Sequence, residues 1–226
     1  MKTKNFRRRL ILGIEENQKE YWDKVATYKN FSTPFQIKLF ADYVGKESSI
    51  LDVGCGYGRI MNELYIEGFK NLSGIDFSSN MIERGRNKFP YLKLNVQEDN
   101  NIPYEDNSFD SIILFAVLTC IIDDCSQVYL LKEIKRVLKP KGILYINDFL
   151  INKDERNILR YKKYEDRYKK YGVFELQEGA ILRHHDISWI EYITSDFDNI
   201  KLEKVVFTTM NGNRSDGFIY LGKNIK

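Results

Sequence analysis

The stretch Ile50-Leu51-Asp52-Val53-Gly54-Cys55-Gly56-Tyr57-Gly58-Arg59 restricts the possible folds more than any other part of this chain. An apolar run from Ser49 to Val53 reads as a buried strand. Glycines at alternate positions then let the backbone turn sharply beneath a ligand before a helix begins near Arg59. The spacing is G-x-G-x-G, and Arg59 stands where a dinucleotide fingerprint needs its third glycine, so an NAD site is disfavoured. Asp52 comes just before the loop, where a carboxylate can accept hydrogen bonds from loop amides or from a ligand ammonium group.

About twenty residues further on, Leu72-Ser73-Gly74-Ile75-Asp76 reads as a second strand ending in an acid placed to accept both hydroxyls of a ribose. With LDVGCGYGR, GIDFSSNMI, IPYEDNSFDSII and LKEIKRVLKPKGILYI in that order over roughly residues 50 to 148, the chain resembles the class I S-adenosylmethionine-dependent methyltransferases, in the type 11 branch that acts mostly on small molecules. The resemblance implies an α/β, Rossmann-like, doubly wound and mostly parallel seven-stranded sheet with an antiparallel last strand. It implies S-adenosyl-L-methionine as cofactor and S-adenosyl-L-homocysteine as product.

The chain has 226 residues, enough for one three-layer domain without metals or disulfides. A net charge of +3, with basic residues scattered except at Arg7-Arg8-Arg9 and between 153 and 170, is too small to make nucleic acid the expected partner. Cys55, Cys120 and Cys125 show neither metal-ligand spacing nor a disulfide framework, which suits a reducing cytoplasm. The acidic pair Glu15-Glu16 ends the apolar run Leu10-Ile11-Leu12 too early for a secretory segment, and no later stretch approaches a membrane span. A monomer or a homodimer is equally compatible with this composition.

Residues 6 to 30 read as one or two helices with Tyr21, Trp22, Val25 and Tyr28 at helical spacing. The resemblance places such a segment over the cofactor, with Trp22 and Val25 packed on the sheet and Tyr28 and Phe31 as the ligand contacts. Pro34 opens a helix over Phe35 to Tyr43. Helix Arg59 to Glu67 ends at Gly68. Ser78 or Ser79 caps helix Asn80 to Lys88, and Tyr91 to Val96 is the third strand. The resemblance then assigns Glu98 or Asp99 to the adenine amino group, and Phe77 and Met81 to the adenine faces. Gly54, Cys55 and Gly56 form the backbone floor, Asp52 serves the amino acid end, and Asp76 the ribose.

Asp110 to Phe115 reads as the fourth strand, with Phe115 expected at the cofactor, and the family places the wall between cofactor and acceptor at Ala116 to Cys120. Enzymes that methylate exocyclic base amines carry an Asn/Asp-Pro-Pro-aromatic motif here. Phe115-Ala116-Val117-Leu118 lacks it, which argues against a nucleobase amine. Helix Cys125 to Leu138 is amphipathic, Lys139-Pro140-Lys141-Gly142 turns it into strand Ile143 to Phe149, and a hairpin of Lys201 to Thr208 with Gly217 to Leu221 closes the chain.

Between the fifth and sixth strands the family needs only a crossover helix, so the stretch from Leu150 to Ile200 implies an inserted cap of a helix and a hairpin. The expected organisation is one domain over 1–226: lid helices over 1–45, a cofactor core over 46–149, the cap over 150–200, and the closing hairpin over 201–226. Helix Asp154 to Tyr171 carries Tyr161, Tyr164, Tyr168 and Tyr171 on one face. Such a stripe packs on its own domain, yet Tyr164 and Tyr168, with Arg183, can also line an aromatic acceptor pocket. Val173 to Leu176 and Ala180 to His185 read as the hairpin, ending in His184 and His185, the only histidines. One of them is the candidate general base, since histidine titrates near neutrality and only one ring of an adjacent pair on a strand can face the site. No metal site is expected.

The expected reaction is methyl transfer from S-adenosylmethionine to a small-molecule acceptor. The basic helix over 153–170 leaves tRNA or protein methylation as the alternative, and a non-catalytic cofactor-binding regulator as a third reading.

Overall fold

The computed structural model describes residues 18–209 and 212–226. Its frame is a seven-stranded sheet in the order β3-β2-β1-β4-β5-β9-β8, with β1 Ile50–Val53, β2 Leu72–Asp76, β3 Lys93–Val96, β4 Phe109–Phe115, β5 Leu138–Phe149, β8 Phe197–Thr208 and β9 Arg214–Asn224. Neighbours pair in parallel from β3 to β5, whereas β9, the last strand in sequence, runs antiparallel to both β5 and β8. Parallel strands covered on both faces should be apolar on both faces, and they are. Leu51, Val53, Ile112, Leu114, Leu144, Ile146, Phe218 and Tyr220 point to one layer. Ile50, Ile113, Tyr145, Ile219 and Leu221, at the intervening positions, point to the other.

The first layer is completed by α5 (Asp124–Val137) and α7 (Ile187–Ile193), through Leu131, Ile134, Ile190 and Ile193. The second contains α2 (Ile37–Ala41), α3 (Arg59–Ile66) and α4 (Ser79–Lys88), through Phe40, Met61, Leu64 and Ile82. A helix through residues 18–25, α1, packs Tyr21 and Val25 against Tyr57 and Met81. Ser78 is the cap of α4, accepting from Met81 N at 3.1 Å. Asp123, Asp154 and Asp186 cap α5, α6 (Glu155–Tyr168) and α7 in the same way.

Two elements differ from the sequence expectation. Strand β5 begins at Leu138, directly after α5, because Leu138 pairs with Phe109. Lys141, at φ 63°, lies within the irregular register that follows, so Lys139-Pro140-Lys141-Gly142 is a kink inside the strand. The cap proper is α6 with the two-stranded hairpin β6 (Val173–Glu175) and β7 (Ile181–Arg183), while α7 belongs to the core as the crossover helix. A parallel bridge from Leu150 to His185 ties the hairpin to the end of β5. No helix among the described residues is long and apolar enough to cross a membrane.

Candidate active site

At the C-terminal ends of β1, β2 and β4 the loops part around a cavity of about 970 Å³ that continues under α1 and the cap. This is the upper end of the roughly 300–1,000 Å³ typical of ligand sites, and it suits more than one small molecule. Its floor is the glycine loop. Gly56 has φ 54°, and a Cβ there would lie 2.8 Å from the Phe31 ring, so both the turn and the close approach of the lid require glycine.

Asp76 braces this loop. One carboxylate oxygen accepts from Gly56 N at 2.8 Å and the other from Ser78 N at 2.8 Å. Each oxygen retains a second lone-pair site. Burial pushes the Asp76 carboxyl up and those two N–H donors pull it back. Asp52 has no such relief: it is 1% exposed, and neither carboxylate oxygen has a hydrogen-bond partner. Burial first, and then the nearby Asp76, raise its pKa to about 8, with Arg59 acting in the opposite direction. A buried carboxylate without donors is a site shaped for a cation.

Of the residues assigned to a cofactor from sequence, Asp52, Gly54, Cys55, Gly56, Asp76, Phe77, Met81, Glu98, Asp99 and Phe115 all line this one cavity. Tyr28 does not. Helix α1 ends at residue 25, so Tyr28 falls in the following turn, out of the Tyr21, Trp22, Val25 stripe, and is 59% exposed. Phe31 lines the cavity, and so does Trp22, which was expected to pack on the sheet. The wall after β4 is Phe115, Ala116, Val117, Thr119 and Cys120. Ala116 has φ 55°, a rare conformation for a residue with a side chain, held by Ala116 N donating to Asn147 O at 2.7 Å.

Under the cap, the two histidines part as strand alternation requires. Leu182 and His184 face the cavity. Arg183 turns the other way, donating to Asp124 at 2.7 Å and Ile122 O at 3.1 Å, so it serves the cap's attachment to α5 rather than a ligand. His185 also turns away, its Nε2 2.9 Å from Gln127 Nε2 and its Nδ1 3.2 Å from Phe149 O, and burial lowers its pKa to about 3. Both ring nitrogens are committed to the scaffold, which corrects its candidacy as a base.

His184 faces the cavity, with one ring nitrogen held by the scaffold. Its Nδ1 lies 2.7 Å from the Tyr161 hydroxyl and 3.2 Å from Asn152 Nδ2. The Asn152 amide is oriented by Asp216 N donating to its Oδ1 at 2.7 Å, so its Nδ2 is a donor. The Tyr161 hydroxyl accepts from Asn152 N at 3.2 Å and donates to Asn157 Oδ1 at 3.4 Å, and Asn152 Nδ2 also donates to Leu150 O at 2.7 Å. His184 Nδ1 is therefore taken up by the scaffold, and Nε2 is the ring nitrogen left for a ligand. Burial and the charge of Arg160 hold the ring neutral, well below the usual histidine range.

Tyr164 and Tyr168 do not line the cavity. The row they form runs along the hairpin, with the Tyr168 hydroxyl donating to Glu175 at 2.6 Å and Tyr161 fully buried against Phe174. The face of α6 that meets the cavity bears Arg156 and Arg160 instead, opposite Phe149 and Phe174. Sequence reasoning missed all four. The i, i+4 spacing of the arginines was the available signal, hidden by the more conspicuous tyrosines.

Residues 51–146 match the family model described as a methyltransferase domain. The chain is 27% identical over 202 residues to a demethylmenaquinone methyltransferase of Listeria welshimeri, covering 81% of this chain and 82% of that protein. It is 25% identical over 218 residues to one from Staphylococcus haemolyticus, covering 91% and 87%. A solved S-adenosylmethionine-dependent methyltransferase of Methanosarcina mazei superposes with a TM-score of 0.80 at 25% identity, over 86% of this chain and 99% of that one. The strand order, the glycine loop with its two acids, and these likenesses agree: the chain is similar to the class I S-adenosylmethionine-dependent methyltransferases that act on small molecules.

Proposed function

We propose that the cavity binds S-adenosylmethionine over the glycine loop and a small acceptor beneath the cap, and that the acceptor's lone pair displaces the methyl group in line. The observation that carries this reading is the unpartnered, buried carboxylate of Asp52 on the floor of a cavity that runs on to His184. Asp52 would take the ammonium of the cofactor's amino acid part, and Asp76 the ribose hydroxyls through its remaining lone pairs. Phe77 and Met81 would flank the adenine, with Glu98 or Asp99 at its amino group. When bound, the cofactor supplies a methyl group already activated on a sulfonium, so the protein's contribution is alignment and exclusion of water.

Phe115, Ala116 and Val117 separate the two ends and set the approach of the acceptor. His184 positions the acceptor through Nε2. The Listeria and Staphylococcus relatives are named for demethylmenaquinone. Here the aromatic walls Phe149 and Phe174 support a flat acceptor.

The cofactor half of this reading is tested by titrating S-adenosylhomocysteine into Asp76→Ala in a calorimeter. Loss of two charge-assisted hydrogen bonds and of the loop's brace should weaken binding by roughly tenfold or more. Unchanged affinity would remove Asp76 from the site.

A further inference from the structure

The acids expected to meet the cofactor and the two arginines of α6 line different parts of the cavity, with Arg59 near Asp52. Asp52, Asp76 and the Glu98-Asp99 pair stand at the ends of β1, β2 and β3, on one half of the sheet. Arg156 and Arg160, one turn apart on α6, line the part under the cap, which is tied to the end of β5 on the other half. Arg160 forms no ion pair among the described residues, its Nε is buried without a partner, and its guanidinium lies 3.5 Å from the centre of the Phe174 ring. Arg156 has only a long contact, 3.7 Å, with Asp154.

Both arginines stand close enough to His184 to disfavour its protonation. His184 adds a neutral imidazole with Nε2 open, and Ser215, whose Oγ accepts from Asn152 Nδ2 at 3.2 Å, keeps its own hydrogen to donate. This end of the cavity therefore offers guanidinium, imidazole and hydroxyl groups, with the long Asp154 contact of Arg156 as the one ion pair of these arginines among the described residues. A buried guanidinium nitrogen left without a partner, as in Arg160, is costly, and the group that fits the fork of such a pair is an oxyanion.

We infer that the methyl acceptor bears an oxyanion, a carboxylate or a phosphate, which Arg156 and Arg160 hold under the cap beside Nε2 of His184. This rests on the reading that the other end of the cavity takes the cofactor.

The test uses the full chain saturated with S-adenosylhomocysteine, whose own binding is recorded first. If that compound does not bind, the cofactor reading has failed before the acceptor end is probed. Benzoate, phenyl phosphate and benzamide are then titrated by calorimetry. At least one of the two anions should bind roughly tenfold tighter than the neutral benzamide, as expected for charge-assisted hydrogen bonds, and the anion preferred identifies the group. Arg160→Gln with Arg156→Gln should lose that preference while keeping the affinity for S-adenosylhomocysteine. In the unaltered chain, added salt should weaken the anion but not benzamide, a readout that needs no variant. His184→Gln, which retains a side-chain N–H donor, should keep anion binding better than His184→Leu. Equal binding of benzamide and both anions, failure of both anions to bind, or an arginine variant with the preference intact would overturn the proposal.

Discussion

Burying a carboxylate without a hydrogen-bond partner is costly, and Asp52 carries that cost in the free protein. Its carboxyl moves from 3.8 in the unfolded chain to about 8 in the fold. Across that window the folded chain keeps a proton that the unfolded chain has released, so this group's contribution to stability falls as pH rises from about 4 to about 8. Asp148, buried and raised to about 7, adds a slope of the same sign, so removing Asp52 should flatten the pH dependence without abolishing it. Asp52→Asn is therefore expected to melt several degrees above the parent at pH 8 and close to it at pH 4, each kcal/mol being worth about 2–4 °C in a chain of this size. The same change should weaken S-adenosylhomocysteine by roughly tenfold, because an amide is a poorer partner for an ammonium group. Melting curves at both pH values check it, and an equal shift at both would show that Asp52 does not carry the penalty.

At the scale of elements, the site depends on α1 lying across the glycine loop, where buried Gln18 donates to Cys120 O and Ile181 O and two further sets of contacts hold it. Arg84 of α4 donates to Ala26 O at 2.8 Å and Lys29 O at 2.7 Å, while Asp23 accepts from Ser78 Oγ at 2.6 Å. On the cap side, Lys29 pairs with Glu178 at 2.6 Å, and Tyr21 donates to the same carboxylate at 3.1 Å. Glu178 is half exposed, and exposed pairs are worth at most about 1 kcal/mol. Arg84 satisfies backbone carbonyls at the helix end, and losing those bonds costs about 1–3 kcal/mol. Arg84→Met should therefore speed amide exchange over residues 18–31 by tenfold or more, and Glu178→Gln by only a few-fold. The reverse order would mean that the lid is held from the cap. The cap shows a similar division. Gly172, at φ 94°, lets the hairpin approach so closely that a Cβ would lie 2.5 Å from His184 O, and this close approach aims β7 and with it His184.

For the molecule as a whole, the cavity is assembled from the lid, the loops after β1 to β4 and the cap, so a ligand that touches all three should stabilise them together. A compound at a hundred times its Kd adds about 2.7 kcal/mol to the folded state. S-adenosylhomocysteine at that level should raise the melting temperature by about 5–10 °C and slow tryptic cleavage at Lys24 and Lys29 in parallel. A thermal shift without protection of those bonds would mean that the lid takes no part in binding. The layout that makes this possible was legible in the chain by itself. Ile50 to Arg59 and Leu72 to Asp76 specified strand, loop, helix and second strand, because glycine conformation and apolar runs are local properties, and nearly all the expected cofactor residues meet in one cavity as a result. Tyr28 was misplaced because a helix end two or three residues early removes a side chain from its stripe. The choice between His184 and His185 and the emergence of Arg156 and Arg160 in place of Tyr164 and Tyr168 were decided only in three dimensions. Each depends on partners distant in the chain: Asn152 and Tyr161 hold one nitrogen of His184, Gln127 takes up the ring of His185, and the packing of α6 on the hairpin selects which of its faces meets the cavity. Local sequence specifies where a backbone turns, whereas the state of a buried polar group depends on what the fold brings beside it.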